Sequence, residues 1–96
     1  MFTQIHILKL RRIGGRGNLR ATADAQITFV TGTGSLPVVL HGCRVIQKQG
    51  ERAYVALPQV ETADGRFFAA VTGPKELREA VQAAVLSAWT AQEAAR

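Results

Sequence analysis

Cysteine is nearly absent from this chain of 96 residues: Cys43 is the only one. A lone cysteine excludes an internal disulfide and any cysteine-based metal cluster. Histidine is almost as scarce, with His6 and His41 far apart and related by no metal-ligand spacing. Long apolar runs are missing too. No stretch approaches the ~20 apolar residues of a membrane span, and Met1-Phe2-Thr3-Gln4 opens neither a signal peptide nor a lipidation motif. A cytoplasmic domain without membrane contact is therefore expected.

The most informative absence is that of acids at one end. Up to Ala23 there is no Asp or Glu, yet there are five basic residues: Lys9, Arg11, Arg12, Arg16 and Arg20. From Asp24 onward seven basic and seven acidic residues balance, so the formal net charge of +5 resides in the first quarter of the chain. A local excess of this kind is an electrostatic footprint for phosphate or another polyanion. Hydrophobic residues make up 47% and charged residues 20% of the sequence, a globular composition. At 10.4 kDa there is material for one small domain over residues 1–96.

Apolar positions Ile5, Ile7, Leu8, Leu10 and Ile13 do not share one parity, which predicts a strand with a bulge or a change of face over the first segment. Gly14 to Asn18 then turns the chain. Leu19, Ala21, Ala23, Ala25, Ile27 and Phe29 alternate with Arg20, Thr22, Asp24, Gln26 and Thr28. Period two over eleven residues predicts a strand with one face on the core and Arg20 on the wet side. Thr31 to Pro37 reads as a loop, and Val38 to Ile46 as a third strand. After the polar Gln47 to Arg52 comes a short strand, Ala53 to Leu57, stopped by Pro58. Asp64-Gly65 predicts a hairpin with a type I′ turn, and Phe67 to Val71 a returning strand with Phe67 in the core. Thr72 or Gly73 is expected to cap a helix whose first residue is Pro74. Leu77, Ala80, Val81, Ala84, Val85, Ala88 and Trp89 form its apolar stripe, with Leu86 on the wet side. The fold class is thus α+β: an antiparallel sheet of about five strands, followed by one carboxy-terminal amphipathic helix packed on it.

Catalytic readings find little support. No Ser/His/Asp or Cys/His arrangement is legible, and Cys43 in an apolar strand reads as a buried small hydrophobe. Gly32-Thr33-Gly34 begins like a dinucleotide fingerprint but reaches Pro37 with no helix behind it. Gly14 to Gly17 lacks the ending of a phosphate loop. The expectation is a protein that is not an enzyme and has no metal or cofactor. Phosphate contacts are expected from Lys9, Arg11, Arg12, Arg16 and Arg20, with Arg44 and Arg66 as secondary candidates.

Four segments in register also carry a resemblance. Val38-Val39-Leu40-His41-Gly42-Cys43-Arg44-Val45-Ile46 resembles the FVVHGIRVI stretch of the stage V sporulation protein G (septation regulator) family. Ile5 to Ile13 looks like its opening ITDVRLRKI, Tyr54-Val55-Ala56-Leu57-Pro58 like its LFVAMPS, and Asp64-Gly65-Arg66-Phe67 like its DGEFRDI. The resemblance implies a small α+β domain, dimeric through its sheet, that binds DNA and sometimes RNA as a regulator of processes such as sporulation and septation. Val60 and Glu61 stand where such proteins usually carry a basic pair. That substitution favours the rival expectation, a non-catalytic dimeric domain that binds a protein partner.

Overall fold

The alternation in the second segment is the architectural centre of the protein. A computed structural model describes residues 2–15 and 17–96, apart from the side chains of Phe2, Thr3 and Phe68. Leu19–Thr31 forms strand β2, flanked by β1 (Phe2–Arg12) and β3 (Gly34–Ile46). The short β4 (Tyr54–Ala56) completes an antiparallel sheet of order β1-β2-β3-β4. A second pair, β5 (Gln59–Glu61) and β6 (Phe67–Ala69), makes a two-stranded ribbon apart from that sheet. The helix α1 spans Lys75–Ala94 and packs on one face of the sheet. Among the described residues no helix is long and apolar enough to cross a membrane.

One face of β2 supplies Ala21, Ala23, Ala25 and Ile27 to the core. Cys43 and Val45 of β3, Val55 of β4, and Val81 and Val85 of α1 close over them. Three alanines in a row keep the middle of the sheet low, so the valines of the helix can seat against it. The stripe expected on the helix is the stripe that is buried. Leu86 departs from expectation, because it packs against the core beside Trp89 instead of facing water. Gln82 also turns inward, donating from Nε2 to the Val55 carbonyl at 3.1 Å and so pinning the helix to β4.

Three local expectations need correction. Thr31 to Pro37 is not a loop: Thr31 pairs with Gly34 and the ladder continues through Pro37 opposite Thr28. The Thr31 hydroxyl accepts from the Thr33 N–H and donates to the Gly34 carbonyl, so two residues suffice for the turn. Pro37 is tolerated because β4 pairs only with Arg44 to Ile46, leaving that part of β3 an edge. The Asp64-Gly65 hairpin is present, but Gly65 alone has a positive φ of 83°. Thr62 N–H donates to the Arg66 carbonyl across a three-residue loop, which is a type I turn followed by a glycine bulge. Finally, neither Thr72 nor Gly73 caps the helix. Pro74 itself stands at the N-cap, and its carbonyl accepts from the Arg78 N–H at 3.1 Å.

Candidate nucleic-acid interface

Strand pairing sorts the basic residues onto different faces. Ala21, Ala23 and Ala25 face the helix, so Thr22 and Asp24 between them face the opposite, uncovered side of the sheet. Their ladder partners share that side. Arg11, Thr22, Arg44 and Ala56 form one row across all four strands, and Lys9 stands opposite Asp24 in the next. With strands about 4.8 Å apart, Arg11 and Arg44 stand about 10 Å from each other. Lys9, Arg11, Thr22, Ala23, Asp24 and Gly42 line a shallow pocket of about 170 Å³ on this face.

The middle of the face is shaped by two bulges at the same level. Between Ile7 and Lys9 the register of β1 slips by one residue, which places Leu8 as the extra residue. On the other side of β2, His41 and Gly42 together oppose Asp24. Gly42 takes a φ of 90°, a conformation glycine adopts without a side-chain penalty. The bulge turns its N–H toward Asp24 Oδ1 at 3.3 Å, while His41 Nδ1 lies 3.2 Å from Oδ2. The hydrogen bond from His41, reinforced by the Gly42 N–H and the charges of His41 and Lys9, holds the Asp24 carboxyl below the usual aspartate value. Asp24 is thus an anion beside Lys9 in the ladder, and its contacts hold the His41–Gly42 bulge of β3 against β2.

Arg44 is held from the other direction. Its Nη2 donates to Gln59 Oε1, and its guanidinium lies over the Phe67 ring, 5.8 Å from the centroid. Both partners belong to the β5–β6 ribbon, so this one arginine links the ribbon to the margin of the open face. Cation–π packing fixes the planar group while leaving other N–H donors free for a ligand. Phe67 is 54% exposed, against its expected place in the core. Tyr54 is 50% exposed, and it stands opposite Ile46 on the uncovered side, since Val55 beside it faces the core.

The other candidates are placed elsewhere. Arg12 pairs with Ala21 and therefore faces the helix, where its Nε lies 3.2 Å from Glu93 Oε2. Arg20, expected on the wet face, is half-buried in a cleft with Arg12, Gln47, Trp89 and Glu93, its Nε enclosed. A register slip between Leu19 and Ala21 explains this, because a bulge breaks the strict alternation and turns Arg20 to the side of Ala21. Arg66 is engaged within its own hairpin, with Nε 3.3 Å from Asp64 Oδ2. The Thr62 hydroxyl, followed by the Arg66 N–H, holds Asp64 below its ordinary value as well. Arg16 lies outside the described residues. Cys43 is fully buried, and that burial, with the nearby Asp24 charge, raises its thiol to about 11. It is a neutral core residue and no nucleophile at neutral pH.

The structure therefore divides the basic quarter in two. Lys9 and Arg11 join Arg44 on the open face, while Arg12 and Arg20 serve the junction between helix and sheet. Thr22, Asp24, His41 and Gly42 belong to the open face without having been singled out. The parity of β2 was a usable signal for Thr22 and Asp24; the bulge that adds Gly42 left none. The chain matches no family model and no curated protein.

Proposed function

We propose that the protein is a non-catalytic nucleic-acid-binding regulator that works in the cytoplasm. The observation that carries this reading is the gathering of Lys9, Arg11 and Arg44 on the one sheet face the helix leaves open. Three cations around a hydroxyl and a backbone turn suit phosphate oxygens, which accept from side-chain and main-chain donors alike. The resemblance to the stage V sporulation protein G (septation regulator) family supports the same reading and extends it to DNA, with RNA as a second ligand. No enzymatic activity and no cofactor form part of the proposal.

A homodimer through the sheet is part of the same proposal. The outer edge of β1, and the side of the Gly34 to Gly42 stretch of β3 that faces away from β2, have no neighbouring strand among the described residues, and such edges invite pairing. A second reading, a dimeric domain for a protein partner, is favoured by one observation: Leu36 and Val38, both on the helix side of the sheet near the β2–β3 turn, are exposed. Titration of a labelled duplex and its single strand at two salt concentrations separates the readings. Binding that weakens steeply with salt supports phosphate contacts. Absence of binding at low salt refutes the nucleic-acid reading and leaves the protein-partner one. Reversal of Arg11 alone to glutamate weakens binding if Arg11 acts as proposed, with Arg12 left in its ion pair to Glu93.

A further inference from the structure

We infer that the ligand of the open face is a single-stranded nucleic acid, whose bases stack on Phe67 and Tyr54 while Lys9, Arg11 and Arg44 hold its phosphates. The inference rests on the nucleic-acid reading above and narrows it. Four strands span about 14 Å from first to last, wider than the ~12 Å major groove that admits a helix or a two-stranded ribbon. The face as a whole does not enter a duplex. The β5–β6 ribbon is narrow enough, but Gln59 to Ala69 carries Glu61 and Asp64 against Arg66 alone. A net negative ribbon is repelled by the phosphates that flank a groove.

The aromatic side chains point to the alternative. Large rings half open to water are unusual where a core could hold them, and this chain has few aromatic residues to spare: 6% in all. Both described rings that are half-exposed lie at the same margin. The row Arg11, Thr22, Arg44, Ala56 leads across the sheet to Arg44, whose guanidinium packs on Phe67. The next row on that face ends at Tyr54, two residues along β4 from Ala56. Cations at one side and rings at the other reproduce the two requirements of single-strand binding, a track for the backbone and platforms for unstacked bases. In a duplex those base faces are hidden against one another, so the rings have nothing to contact.

The test measures fluorescence anisotropy of a labelled oligothymidylate and a labelled mixed-sequence duplex, each across a salt series. The expected result is tighter binding of the single strand. Phe67→Ala weakens it about tenfold, in line with stacking of roughly one base, and leaves duplex affinity within about twofold. Phe67→Tyr retains binding, and Phe67→Leu does not, which separates a π-face from apolar bulk. Far-ultraviolet circular dichroism checks that each variant is folded. The aromatic variants keep the salt slope, whereas Arg11→Gln lowers it by about 0.7 on the single strand. Equal affinity for both probes, with Phe67→Ala and Tyr54→Ala neutral and Arg11→Gln still harmful, overturns the single-strand inference and leaves the cationic face standing. No binding of either probe at low salt overturns both.

Discussion

Arg11 and Arg12 are neighbours of identical chemistry, and the structure assigns them opposite roles. Arg11 faces open solvent beside Thr22, while Arg12 is paired with Glu93 at the end of the helix. If three cations per protomer contact the phosphates of a single strand, the logarithm of the binding constant falls with the logarithm of salt at a slope of about −2.1, taking about −0.7 per contact. Between about 50 and about 200 mM salt that is about an 18-fold loss of affinity. Arg11→Gln removes one contact, so the slope becomes about −1.4 and the same change in salt weakens binding only about 7-fold. Arg12→Gln leaves the slope unchanged and instead loosens the helix, a half-exposed ion pair being worth no more than about 1 kcal/mol. Anisotropy titrations of a labelled oligothymidylate over a salt series, with thermal melts alongside, read both quantities. Equal slopes for the two variants, or a lower slope for Arg12→Gln, would refute the assignment by strand parity.

Val85 is fully buried, and Val85→Ala deletes two methyl groups from the helix–sheet contact. At about 0.8 kcal/mol for each carbon plus the cavity left behind, the loss is about 2–3 kcal/mol. In a domain this size the melting midpoint should fall by roughly 10–20 °C, whereas Leu36→Ala at the exposed turn should change it little. The raised Cys43 thiol predicts an alkaline weakness. Above pH 9.0 the unfolded thiol ionises while the folded one stays neutral up to about 11, so the unfolded state binds fewer protons and stability falls through that window. The fall is on the order of 2 kcal/mol, and Cys43→Ala should remove it from urea unfolding curves recorded between those pH values. Gly42→Ala forces a side chain into a φ of 90° with no atom within 4 Å of the added carbon, so the penalty is conformational. It should be about 1–2 kcal/mol, with weaker nucleic-acid binding as the His41–Gly42 bulge shifts. Gly32→Ala, also in open space but with no positive φ, should be close to neutral in the same melts.

Much of the fold is legible because its signals are local and repetitive. The alternation from Ala21 to Phe29 specifies which side of β2 is apolar whatever packs against it, and the stripe from Leu77 to Trp89 does the same for the helix, whereas Leu19 leaves the core side at the slip before Ala21. The hairpin at Asp64-Gly65 is equally local, although the distinction between a two- and a three-residue loop depends on the pairing of Thr62 with Arg66. Leu86 lies against the core instead of in water for a different reason. A helix lying across a sheet buries a wider arc than its stripe, and the sheet's backbone offers the Val55 carbonyl to a polar side chain.

By itself the sequence determined the order of the four sheet strands and the helix, the small-residue seam of the core and the confinement of excess positive charge to the first quarter of the chain, while β5 and the separation of its ribbon with β6 from the sheet carried no signal of their own. Only the tertiary structure decided which of those charges share a surface. Register is a property of two strands together, and a single bulge reverses the direction of a side chain. The slip at Leu19/Ala21 removes Arg20 from the open face, and the pairing of Arg12 with Ala21 hands that residue to the helix. The bulge at His41 and Gly42 builds the seat for Asp24, and the ribbon brings Phe67 beneath Arg44 from more than twenty residues along the chain. Charge composition is additive along a sequence, whereas an interface depends on which side each residue faces, and that is settled when strands meet.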